Sequence, residues 1–168
     1  MRQILILTAL MTGCADPTEL NISGFVRPAE GGDDIPLNPL RGYWGGPFIA
    51  FTGDDLECEE VDWINKFNED GDDALVDYDV NVLQFTFSES DVTAGSYALS
   101  GASPIIAEFL SIEDGKQAVY TATEGTLDLE DFEDENPLTG EFDFFIGDEG
   151  GFRGTFTVPH CPNLSSRF

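Results

Sequence analysis

From Asn21 to Val158, apolar residues recur at every second position in short runs, and glycine, proline and acidic residues separate the runs. A period of two with polar or small residues between the apolar ones predicts strands buried on one face and wet on the other. The pattern repeats as Gly-x-apolar-x-apolar in Gly95-Ser96-Tyr97-Ala98-Leu99, Gly125-Thr126-Leu127-Asp128-Leu129, Gly140-Glu141-Phe142-Asp143-Phe144 and Gly154-Thr155-Phe156-Thr157-Val158. Further strands are predicted at Asn21 to Val26, Phe48 to Thr52, Val80 to Phe87, Ile105 to Ile112 and Gln117 to Thr123. Alternation of this kind favours antiparallel pairing, because strands of a parallel sheet read as continuous apolar runs. The turns agree: Glu113-Asp114-Gly115-Lys116 and Gly147-Asp148-Glu149-Gly150-Gly151 carry residues that tolerate positive φ. The expected fold is all-β, an antiparallel β-sandwich or partly closed barrel of about eight strands.

Two segments depart from the period of two. Asp55 to Asn68 places Val61, Ile64 and Phe67, helped by Trp63, at three-residue spacing, with Asp54 and Glu57 set as a capping box and Gly71 as a stop. One short helix or helical turn is expected there; an acidic insertion stitched down by Cys58 is the alternative. Arg41-Gly42-Tyr43-Trp44-Gly45-Gly46-Pro47-Phe48 reads as a flexible segment bounded by glycine and proline. Its Tyr43 and Trp44 are candidates for ligand contact, since exposed loop aromatics serve as binding platforms. The competing reading is that Trp44 plugs one end of the sandwich.

The N-terminus has a different character. Arg2 is followed by the apolar run Ile4 to Met11 and then by small residues ending at Cys14, the layout of a secretory signal peptide. The run is too short for a membrane span, which needs about 20 apolar residues. Leu10-Met11-Thr12-Gly13-Cys14 resembles the lipobox of bacterial lipoproteins, although Met11 stands where leucine is favoured. The resemblance implies that Cys14 receives a diacylglycerol and becomes the new N-terminus. Two or three acyl chains give stable anchoring where one chain is marginal. The expected organisation is a signal peptide at 1–13, a lipidated tether at 14–20 and a single β domain at 21–164, with cleavage at an ordinary signal site or an uncleaved start as the alternatives.

Removing Cys14 from a total of three cysteines leaves Cys58 and Cys161. In an exported chain such a pair most simply forms a disulfide. A metal site is the weaker reading, because two isolated cysteines and the lone His160 lack zinc-ligand spacing.

Charge narrows the partners. The chain holds 33 Asp and Glu against 7 Lys and Arg, a formal net charge of −26. Too few cations remain to build a face for nucleic acid. With 14 Phe and 41% hydrophobic residues the chain is expected to fold and carry its acid outside. Such a surface reflects a saline habitat or solubility, or else some acidic loops bind calcium. Asn68 to Asp73 looks like a calcium loop, yet in EF-hand register Gly71 puts Lys66 at the first ligand position and Asp77 at the last. Asp70, Asp72 and Asp73 there, and Asp128 and Asp131 within the acidic run Asp128 to Glu135, are weak calcium candidates. No other cofactor is expected.

From Ile49 to Cys161 the order of features resembles a group of small exported lipoproteins of unassigned function from myxobacteria and their relatives. The shared features are Cys58, the alternating strand Val80 to Phe87, the Gly-x-Tyr strand Gly95 to Leu99, the Gly-Thr-apolar strand Gly125 to Leu129 and a Gly-x-Phe hairpin closing on Cys161. These are strand and turn motifs, so the resemblance implies the fold and the disulfide and nothing about chemistry.

No catalytic motif stands out. Gly-x-Ser-x-Gly, His-Glu-x-x-His and a phosphate-cradling glycine loop are all missing from the sequence. His160, between Pro159 and Cys161, reads as a surface or capping residue. A two-carboxylate glycosidase has no diagnostic pattern among so many acids. The expectation is a non-enzymatic protein of the cell envelope, lipid-anchored to the outer or inner membrane, with a structural or binding role toward a protein or glycan. The alternatives are a calcium-stabilised adhesin-like domain and an envelope hydrolase acting on a glycan or peptide.

Overall fold

In the computed structural model, residues 18–29, 31–58, 79–88, 91–113, 116–133 and 136–165 are described. Among them, the alternating runs form β1 (Glu19–Val26), β2 (Ile35–Pro36), β3 (Arg41–Gly45), β4 (Phe48–Thr52), β5 (Val80–Phe87), β6 (Gly95–Ala98), β7 (Ile105–Glu113), β8 (Lys116–Thr121), β9 (Glu124–Leu129), β10 (Leu138–Ile146) and β11 (Gly150–Val158). One sheet has the order β2-β1-β11-β10-β9-β6 and the other β3-β4-β5-β7-β8. All strand pairings are antiparallel. No strand pairing joins the sheets, so the arrangement is a sandwich and not a closed barrel; an isolated parallel bridge between Trp44 and His160 ties one corner.

The nine predicted strands fall on β1 and β4 to β11, and the structure adds β2 and β3. Residues 41–45 are therefore not the flexible segment expected. Gly46, with φ 50°, occupies the first central position of a two-residue turn ahead of Pro47 and folds β3 back onto β4. β1 begins at Glu19, inside the expected tether. The helix expected over Asp55 to Asn68 lies outside the described residues from Glu59 onward, and Asp55 to Glu57 are loop. Asp55 is drawn to Arg41 in an ion pair, and Leu56 is buried while its carbonyl accepts a hydrogen bond from the Tyr43 hydroxyl at 3.0 Å.

Phenylalanine fills the space between the sheets. Phe51 and Phe85 project from the five-stranded sheet onto Phe142, Phe144 and Phe156 of the other, with ring centroids 5.0 to 5.9 Å apart in the pairs Phe51–Phe156, Phe85–Phe142, Phe51–Phe142 and Phe85–Phe144. The repeated glycines are placed opposite these rings. Phe144 pairs in register with Gly125, Phe142 and Phe156 with Gly154 and Gly140, and Phe152 with Gly24. At Gly125 (φ 150°) a Cβ would come within 2.4 Å of the Phe144 Cβ. The Gly-x-apolar recurrence is thus a packing device: glycine on one strand leaves room for phenyl on the next.

A second apolar cluster covers most of the outer face of the five-stranded sheet. Tyr43, Ala50, Val80, Val82, Leu110 and Ile112 pack there with Leu56, Cys161 and Leu164. β4 is consequently buried on both faces. Cys58 and Cys161 form a disulfide inside this layer, their Cα atoms 5.8 Å apart, and a 3₁₀ turn over Pro162–Ser165 follows it. Burial, with a smaller push from the charge of Glu149, raises the Tyr120 phenol, and its ring packs on Phe109.

Candidate functional site

The outer faces of the two sheets differ. One is covered by the second cluster over β3, β4, β5 and part of β7, with Ile106 and Val119 left 41% and 50% exposed at its β7–β8 end, whereas the six-stranded sheet presents an open face on the polar phase of its strands. Register sets the rows of that face. Phe25, Gly151, Phe145 and Glu124 lie across β1, β11, β10 and β9, and the next row is Ser23, Arg153, Asp143 and Thr126.

Phe25 and Phe145 are 40% and 51% exposed, the two largest apolar side chains left open on this sheet. Each is the direct cross-strand neighbour of Gly151. Two strand spacings separate them, roughly 10 Å, and the glycine between them forms a floor. A side chain at Gly151 would drive its Cβ to 2.3 Å from the Phe144 carbonyl oxygen, so the floor stays bare. The result is a trough of about 510 Å³, rimmed by Asp143, Asp148 and Arg153. It runs on through Ser23, Asp143 and Arg153 into a polar groove of about 400 Å³ carrying Asn21, Asp128 and Glu141.

Besides Arg153, a second cation lies next to the trough, against Phe25. The Arg27 guanidinium lies 5.7 Å from the Phe25 ring centroid and grips Asp34 through Nε at 2.7 Å and Nη2 at 3.0 Å. The hydrogen bond to Asp34, and then its charge, hold Arg27 above the ordinary guanidinium range; Asp55 does the same for Arg41.

A third groove, about 660 Å³, is bordered by Asp33, Asp34, Asp54, Asp79 and Glu113 around Asn81 and Ser111. Among the described residues no three His, Cys, Asp or Glu side chains converge to hold a metal ion. Asp128 belongs to β9 on the open face rather than to a loop, while Asp131 lies exposed past the strand end. Phe132, between them and Glu133, tucks inward against Trp44 at 4.8 Å. Asp70, Asp72 and Asp73 lie outside the described residues, as does Cys14.

Tyr43 and Trp44 are 6% and 5% exposed, which corrects the expectation of open loop aromatics. Trp44 closes one end of the sandwich: its ring meets Phe132 and His160, the latter at 4.5 Å, and its Nε1 donates to the Asn136 carbonyl at 3.0 Å. His160 is used in that packing. The aromatic surface lies instead at Phe25 and Phe145, which the sequence reading had not singled out. The signal was present: in an alternating strand only one of the adjacent pair Phe144 and Phe145 can face inward, and Phe25 shares the phase of Asn21 and Ser23.

The acid sets a measurable dependence on salt. Raising NaCl from about 0.02 M to about 0.5 M shortens the Debye length from tens of ångströms to a few and relieves self-repulsion. The melting temperature by scanning calorimetry is expected to rise by several degrees, and by the same amount in CaCl₂ of matched ionic strength. An additional rise specific to millimolar calcium would instead locate a cation site, since a ligand bound only by the folded chain stabilises it.

Comparison of the chain with protein-family models, with curated proteins and with solved structures yields no match.

Proposed function

We propose that the chain is a lipid-anchored, non-enzymatic binding module of the cell envelope, tethered through Cys14 and presenting the open face of its six-stranded sheet. The observation that carries the binding role is the asymmetry of the sandwich. One sheet spends most of its outer face on a second core and a disulfide and leaves only the aliphatic Ile106 and Val119 open at one end, while the other sets two open rings, Phe25 and Phe145, on either side of a glycine-floored trough. Large apolar side chains grouped on an otherwise polar face are the usual mark of an interaction site.

The anchor rests on separate support. A disulfide fits an oxidising compartment outside the cytoplasm. With Cys58 and Cys161 paired, Cys14 is the one cysteine of the three left over, and it sits directly behind the apolar run. Acylation there would hold the domain at a membrane through chains worth about 0.8 kcal/mol per buried methylene.

Expression in a bacterial host with an alkyne-tagged palmitate tests the anchor. The chain is expected to take the label and to enter the detergent phase on Triton X-114 partition, and Cys14→Ser to lose both. An unlabelled chain in the aqueous phase would overturn the anchor.

A further inference from the structure

We infer that the trough between Phe25 and Phe145 receives an arginine-bearing segment of a partner protein. This deepens the binding role proposed above and rests on it.

Three observations converge on that occupant. The first is shape. A planar group lying between two rings needs a contact distance of about 3.5–4.0 Å on each side, and the roughly 10 Å between the outer strands admits one such layer. Gly151 leaves the floor free for the stem of the incoming side chain.

The second is charge. Asp143 and Asp148 rim the trough and Glu124 continues the row of Phe145. Two arginines are near the trough: Arg27 is already paired with Asp34, and Arg153 stands in register beside Asp143, so the carboxylates Asp143, Asp148 and Glu124 outnumber the cation that is not held by Asp34. On a chain of net charge −26 the field over this face draws cations and repels a second copy of the same chain.

The third is a contact already made. Arg27 lies over the Phe25 ring with Asp34 holding its guanidinium, the combination of phenyl face and carboxylate that Phe145 offers beside Asp143 and Asp148. Guanidinium stacks on aromatic faces and pairs with carboxylates through a planar fork, whereas ammonium acts as a more strongly hydrated point charge. The preference expected is therefore for arginine over lysine.

The test uses the full chain purified in non-ionic detergent at about 150 mM NaCl, where long-range attraction is screened. The probes are a fluorescein-labelled peptide of alternating arginine and glycine, its lysine counterpart, and chitohexaose as a neutral glycan. The arginine peptide is expected to bind more tightly than the lysine one, and the double variant Phe25→Ser/Phe145→Ser to weaken it about tenfold. Ile106→Ser, at a residue 41% exposed on the other sheet, is expected to leave binding unchanged. Calorimetric melting of each variant confirms that it is folded. Equal binding of the arginine peptide by wild type and the double variant would mean diffuse attraction to the acidic surface and would overturn the proposal. So would chitohexaose binding that depends on the two rings while the arginine peptide does not bind. Palmitate labelling at Cys14 is read on the same preparations, so loss of the anchor and loss of the arginine site are separate results.

Discussion

Replacing Cys58 or Cys161 with serine is expected to lower the free energy of unfolding by about 4 kcal/mol, read as a shift in the urea midpoint. The bridge joins residues 103 apart in sequence. On the chain-entropy account, closing a loop of about 100 residues contributes roughly 4.7 kcal/mol, and removal of a native bridge from a small exported domain typically costs 2–5 kcal/mol. Position adds to length here. Cys161 is fully buried in the second cluster, and the chain after it brings Leu164 onto the same layer. Without the bridge, the covering of Tyr43, Val82 and Leu110 depends on the weaker contacts alone. Each single variant and the double variant should fall by the same amount, because any of them removes the same cross-link. An unchanged midpoint in the single variants would discard the bridge as a stabilising element. A fall confined to one of them would assign the effect to local packing at that cysteine.

Most of the strands were legible because their apolar phase is regular. β9, β10 and β11 each announce themselves by glycine followed by alternating apolar residues, and their register then follows from matching those phases. β3 was hidden for two reasons. Its two glycines read as loop punctuation, although Gly42 is where the strand passes against Phe51 and Val158, with a Cβ there only 2.6 Å from the Val158 side chain. Its tyrosine and tryptophan face opposite sides and are both buried, which presupposes two apolar layers. Alternation predicts one buried face per strand; only the tertiary covering by Leu56, Cys161 and Leu164 makes the other face apolar as well.

The candidate site shows the converse. Nothing in a one-dimensional pattern says that Phe25 and Phe145, far apart in the chain, flank the same glycine. That needs the pairing of β1 with β11 and of β11 with β10, a consequence of strand order rather than local sequence. Asp128 to Glu135 reads as one acidic run, yet β9 takes Asp128 and Leu129 and Phe132 is drawn inward to Trp44, so its described residues are divided between strand, core and exposed loop.

The same separation of core from surface predicts a sharp contrast between two phenylalanines. Phe85→Ala is expected to destabilise by about 3–5 kcal/mol, as a large buried aromatic leaves a cavity that its neighbours fill only in part. Phe85 is fully buried and its ring meets Phe51, Phe142 and Phe144 at 6.3, 5.1 and 5.9 Å, so its removal takes away two of the ring contacts between the sheets. Aromatic pairs of this kind contribute about 0.5–1.5 kcal/mol each beyond the area they bury. Phe145→Ala, by contrast, removes a ring that is half open to water, and its effect should lie within about 0.5 kcal/mol. Urea unfolding of the two variants side by side decides the matter. A large loss at Phe145 would mean that its ring braces β10 against its neighbours, and the trough would then be a by-product of packing. A large loss at Phe85 with near-neutrality at Phe145 would mean that the sandwich does not depend on the exposed ring. Phe145 would then be free to make contact outside the domain without cost to the fold.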